Sequence, residues 1–203
     1  MKNVLPMLVG LGLVFAGNAA LAAGPVRVGA PAPAPTLLTS SGDSYKFLAE
    51  TYGTDPQYPE ARRSAAALLF VDPESEAGDP AVAAFVEVAR KVFARPALRG
   101  QVRFYLVLVC PKNSGFALAR FLEQQDRALP IEVLLDPRRK AAAAFGVEAL
   151  PRLFTIARNG VLATDVAGVP ADYRKQLAEG VVAAIQAGRP AARPVGAIPP
   201  RAR

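Results

Sequence analysis

Residues 65–71, Ala-Ala-Ala-Leu-Leu-Phe-Val, are apolar without interruption for the length of one β-strand. A strand that faces water on one side alternates polar and apolar residues, so an unbroken run of this length belongs to a strand covered on both faces. The stretch 101–109 reads as a second core strand, very rich in β-formers. Between the two lies Asp79-Pro80, a side-chain cap followed by the residue best tolerated at a first helical position. Val82, Phe85, Val86, Ala89 and Phe93 then fall on one helical face. A buried strand, a helix and a second buried strand imply an α/β domain with a parallel core.

The rest of the chain continues this rhythm. Asn113 or Ser114 can cap a helix running to about Gln125, and 131–135 reads as a short strand. Asp136-Pro137 opens a further helix, which ends at Gly146. Residues 151–157 and 161–167 are strands joined by Arg158-Asn159-Gly160, and Asn-Gly favours a tight antiparallel hairpin. Pro170 or Asp172 begins the last helix, with Tyr173, Leu177, Val181 and Ile185 as its buried stripe and Gly188 as its end. Upstream, 36–48 reads as a β-hairpin turning at Ser41-Gly42-Asp43, and 50–63 as a surface loop. The fold class is α/β: a mixed sheet with helices on both faces and an N-terminal β-hairpin extension.

The ends of the chain are of another kind. Lys2, the apolar stretch 4–16 and Ala20-Leu21-Ala22 have the layout of a signal peptide over residues 1–22, with the mature chain beginning at Ala23. An uncleaved anchor is the alternative, since 4–23 is nearly of membrane-spanning length. With cleavage, no transmembrane segment remains. Residues 23–35 are rich in Pro, Ala and Gly and read as a linker into a domain spanning 36–187. The tail 188–203 holds four arginines, four prolines and no acid, a composition that buries too little apolar area to order itself. It would serve as a solubilising tail, or make weak contact with anionic lipid.

Composition removes several kinds of chemistry. The chain has no histidine and no tryptophan, so histidine triads and imidazole-ligated metals or haem are excluded. One cysteine, Cys110, rules out an intramolecular disulfide. The net charge of +7 is poor evidence for nucleic acid in an exported protein, and none is expected as a partner.

Two stretches carry a resemblance. Residues 28–33, Val-Gly-Ala-Pro-Ala-Pro, and 129–162, with Asp136-Pro137, Gly146-Val147 and Pro151 before the hairpin, resemble the thioredoxin-like redoxins of bacterial envelopes, of the TlpA and ResA type. The resemblance implies a thioredoxin-like domain in the periplasm or otherwise exported, with a cis peptide bond before Pro151. It implies further that the bend there frees the backbone of Leu150 to pair with an extended peptide. The chain departs from that pattern at the other half of the site. Where active relatives place Trp-Cys-x-x-Cys at the start of a helix, this chain has residues 72–79, Asp-Pro-Glu-Ser-Glu-Ala-Gly-Asp. Two-cysteine exchange is therefore unavailable, and four acids would raise a thiol's pKa rather than lower it.

The expected function is binding of an envelope protein or peptide partner without redox chemistry. Leu150, Pro151 and Arg152 would form one wall of the site, and the loop with Asp72, Glu74 and Ser75 the other. No cofactor and no metal are expected. The spacing of the acids in 72–79 lacks the sixth-position glycine and distal glutamate of a calcium loop, and Arg138, Arg139 and Lys140 read as a solvated helix face. No catalytic residue is expected on this reading. The alternative is a one-cysteine thiol oxidoreductase or peroxidase working through Cys110, which ends the second core strand near the same edge.

Overall fold

The computed structural model describes residues 26–47, 64–110 and 130–187. The expected signal peptide, the loop 50–63, the helix beginning at Asn113 or Ser114 and the basic tail lie outside the described residues. The strands are β1 (Thr36–Leu38), β2 (Ser44–Lys46), β3 (Ala65–Val71), β4 (Val102–Leu108), β5 (Ile131–Leu135), β6 (Arg152–Ile156) and β7 (Leu162–Ala167). The α-helices are α1 (Asp79–Phe93), α2 (Lys140–Ala144) and α3 (Tyr173–Gln186).

All seven strands join one sheet in the order β2-β1-β5-β4-β3-β6-β7. β3, β4 and β5 run parallel, while β6 is antiparallel to β3 and β7 to β6. The N-terminal hairpin pairs Leu37 with Tyr45 and extends the sheet through Leu38 and Leu135.

β3 explains the arrangement. All seven of its side chains are buried, and successive ones point to opposite faces. Ala65, Ala67, Leu69 and Val71 pack beneath α1 and α3. Ala66, Leu68 and Phe70 join the other layer, with α2 and the N-terminal hairpin. That second layer is aromatic: Phe154 lies 5.8 Å from Phe70 and 5.0 Å from Phe145, ring centre to ring centre.

Several helix boundaries differ from expectation. Asp79 is the first residue of α1 rather than its cap, and Gly78 caps without a side-chain hydrogen bond. A 3-10 turn over Glu76–Gly78 already holds the chain in helical geometry, so the extended cap conformation never forms. Along α1, Phe85 and Ala89 are buried as expected, but Phe93 is 42% exposed. Each step of four residues rotates about 40° around a helix, so the 85-89-93 row drifts out of the face that Ala81, Ala84 and Val88 keep buried.

α2 is shorter than the span from Asp136 to Gly146. Arg139 adopts a left-handed conformation, with φ 54°, and helix begins only after it. The buried Asp136 carboxylate still serves this element, accepting from the Ala142 amide at 2.7 Å. Gly146, at φ 63°, closes α2. The amides of Gly146 and Val147 reach back to the carbonyls of Ala143 and Ala142, the paired bonds of a Schellman end.

The Pro/Ala-rich lead-in is docked on the sheet. Gly29 and Ala32 donate to the carbonyls of Leu162 and Gly160, and Leu162 donates back to Ala30. Ala32 is buried against the aromatic layer.

Candidate functional site

The ladder registers bring three chain segments to one edge of the sheet. Phe70 pairs with Arg152 across β3 and β6, so the residues following β3 lie beside those preceding β6. The Val109 amide donates to the Val71 carbonyl at 2.8 Å, which brings the end of β4 to the same edge. Asp72, Cys110 and Leu150-Pro151 therefore stand at neighbouring strand ends. Open α/β sheets place binding crevices at such an edge.

The Leu150–Pro151 peptide bond is cis. The Pro151 carbonyl accepts from the Gly168 amide at 2.9 Å, tying the bend to the end of β7. Pro151 is buried and Leu150 half-buried. Among the described residues, no hydrogen bond engages the amide or carbonyl of Leu150.

Arg152 is committed elsewhere. Its guanidinium forms two bonds to the Asp165 carboxylate, at 2.6 and 2.7 Å, and lies over the Phe154 ring. The Asp165 hydrogen bond, opposed by partial burial, raises the Arg152 pKa above its ordinary value. As a residue of a binding wall, Arg152 offers its exposed part only. The partner was legible in principle, because the hairpin register puts Asp165 opposite Phe154 and diagonal to Arg152.

The acidic loop is organised around its own backbone. Asp72 accepts from the Glu74 amide at 3.0 Å through its side chain and from the Ser75 amide at 3.2 Å through its carbonyl. The Ser75 carbonyl in turn accepts from Gly78. Glu74 and Glu76 are exposed and Ser75 is half-buried. Among the described residues, no cluster of three acids or thiols could hold a metal ion. Nor is any helix there long and apolar enough to cross a membrane.

Cys110 is 6% exposed and belongs to the apolar cluster beneath α1 and α3. Burial among the Leu, Val, Ala and Phe side chains of that cluster disfavours a thiolate. Placed there, Cys110 packs as a small apolar residue.

Sequence reasoning missed a concavity on another face. An open groove of about 670 Å³ runs between α1 and α3, with Ala84, Val88, Val92, Val181 and Ile185 among its apolar lining. Lys91 and Arg95 stand on its α1 side, Arg174 and Lys175 on its α3 side. Its signal was the row of small apolar residues on the outer flanks of both helices, which reads equally as buried core. Tyr173 also lines it, with a buried hydroxyl that has no hydrogen-bond partner among the described residues and a pKa raised by burial.

No family model and no curated protein matches the chain. Solved structures do. A Chlorobium tepidum protein described as a thiol:disulfide interchange protein DsbE matches with a TM-score of 0.58 at 20% identity, over 79% of this chain and 99% of its own. A second thiol:disulfide interchange protein from Chlorobium tepidum, of the thioredoxin family, matches at 0.55 and 16% identity, over 80% and 99%. A secreted Mycobacterium tuberculosis disulfide oxidoreductase homologous to E. coli DsbE matches at 0.53 and 18% identity, over 74% and 96%. At these identities the likeness is one of fold: the chain folds as a thioredoxin-like domain, and its single cysteine leaves it without a Cys-x-x-Cys motif.

Proposed function

We propose that this is a redox-inactive thioredoxin-like envelope protein that holds a polypeptide partner at the edge beside Leu150 and Pro151, in a scaffold, chaperone or assembly role. The observation that carries the reading is the state of Leu150, whose backbone donor and acceptor have no bond among the described residues. A backbone group at a folded edge is satisfied by water or by a partner. An extended peptide laid along this edge would use both groups, as in other strand-addition complexes. Asp72, Glu74 and Ser75 would form the facing wall, and the exposed carboxylates there favour a partner with basic residues. Export follows from the signal layout of residues 1–22, and the likeness to a secreted oxidoreductase agrees with it.

Burial of Cys110 weighs against thiol oxidoreductase or peroxidase activity. Alkylation kinetics of the mature protein test this part of the reading. Slow modification in buffer, rapid modification in denaturant, and no turnover of disulfide or peroxide are expected. A fast reaction in the native state with catalytic turnover would overturn it and make Cys110 the centre of the site.

A further inference from the structure

The first turn of α3 carries charge of the wrong sign for its place. A helix N-terminus is the positive end of the backbone dipole and favours acids. Arg174 and Lys175 stand there instead, and the turn has no acid. Asp172 precedes them without making a capping bond, and its carboxylate accepts from the Gln176 side chain at 2.7 Å. Among the described residues, the backbone amides of Arg174 and Lys175 have no hydrogen bond. Cations and free amides at one helix end suit an anion. Tyr173, 3% exposed, belongs to the same turn, and its hydroxyl is a donor without an acceptor among the described residues.

This turn lines the groove between α1 and α3, whose floor is apolar, with Ala84, Val88 and Val92 from one helix and Ala178 and Val181 from the other. Four cations line it, Lys91, Arg95, Arg174 and Lys175, against one acid, Asp172. Glu87 pairs with Lys91 at 2.6 Å and with Arg174 at 3.0 Å, and Glu179 stands 3.9 Å from Lys175. Arg95 has no acid partner among the described residues. Four cations thus meet three acids, and the one charge left over is the complement of a monoanion. The volume, about 670 Å³, is that of a small-molecule site rather than of a polypeptide interface.

We infer that this groove binds a single-chain aliphatic carboxylate, with its head at the first turn of α3 and its chain along the apolar floor between the two helices. The head would take up the free amides and the cations beside them, and the chain would cover side chains that now face water. The inference is independent of the peptide edge at Leu150.

Calorimetric titration of the mature protein with decanoate, below its micellar range, tests it, with 1-decanol and acetate as controls. One saturable decanoate site is expected. Decanol should bind about tenfold more weakly or worse, having lost the hydrogen bonds to a charged group, and acetate should not bind. Each methylene removed from the chain should weaken binding by up to about fourfold. Arg174→Gln with Lys175→Gln should weaken it about tenfold or more. Val182 lines the groove and is 47% exposed, so Val182→Trp can fill the groove without entering the core and should block binding. Both variants are first checked for folding by thermal melt. Decanol that binds as tightly as decanoate, or decanoate binding that survives Val182→Trp, would overturn the inference. So would self-association of the protein that Val182→Trp abolishes, which would assign the groove to a second copy. Tighter binding of a designed amphipathic helix with glutamates on its polar face would also overturn it, assigning the groove to a polypeptide.

Discussion

Arg152 and Asp165 face each other across the β6–β7 hairpin through two hydrogen bonds, with only 25% and 19% of their side chains exposed. The pair sits where the strand leaving Pro151 enters the sheet, so it fixes the direction of that strand. Removing one partner leaves the other charge half-buried and unpaired. Asp165→Ala should therefore destabilise the domain by about 2 kcal/mol, between the values for exposed and fully buried pairs. Urea unfolding checks this, and Arg152→Met together with Asp165→Leu should recover most of the loss.

At Gly180, α3 lies close against β6 and β7. A Cβ there would stand 2.8 Å from the Thr164 Oγ1 atom and 3.2 Å from the Thr155 Cγ2 atom. Those hydroxyls are bonded to each other at 2.7 Å, and Thr155 is wholly buried. Neither threonine can move aside without breaking that bond. Gly180→Ala should therefore cost about 1–3 kcal/mol from overpacking, although alanine favours helix by about 1 kcal/mol. A lowered denaturation midpoint is the expected result.

Tyr173 gives the opposite sign. Its hydroxyl is buried without a hydrogen-bond partner among the described residues. Tyr173→Phe removes an unsatisfied group and keeps the ring, and should stabilise by about 1 kcal/mol. A thermal melt that falls instead would show that the hydroxyl is satisfied by water in the groove.

Glu87 supplies a pH dependence. The hydrogen bond from Lys91, with the charges of Arg174 and Lys91, holds its carboxyl below the ordinary value against an opposing desolvation. A carboxyl with a depressed folded-state pKa contributes stability above its unfolded value of about 4.3 and loses it as pH falls through the folded value. Glu87→Gln should therefore lower the melting temperature slightly at neutral pH. The difference from the unaltered protein should disappear in acid, below the ordinary carboxylate range.

The core of the fold was legible because burial on both faces leaves an unbroken signature. Residues 65–71 and 131–135 form strands with the expected limits, and the stripe Tyr173, Leu177, Val181 and Ile185 is buried throughout. The errors are local geometry and long-range contact. The hairpin at 157–160 is set by Gly160 alone, at φ 79°, with Asn159 instead accepting from the Val161 amide. The connection is the expected Arg158-Asn159-Gly160, closed by the Ala157 amide on the Val161 carbonyl, but the register shifts after Thr155. The docking of Gly29 and Ala32 on the hairpin joins segments about 130 residues apart, which composition does not encode. Arg152 looked available because its partner, Asp165, lies on the next strand and is found only by working out the hairpin register.

The measurement that tests the central claim most directly is capture of partners from an envelope extract by three forms of the mature protein, all in reducing buffer. These are the unaltered chain, Cys110→Ser, and Leu150→Pro, which deletes one backbone donor; each is first checked for folding by thermal melt. The account predicts one shared partner retained by the unaltered chain and Cys110→Ser, and lost with Leu150→Pro. Capture that disappears in reductant or with Cys110→Ser, and survives Leu150→Pro, would contradict it.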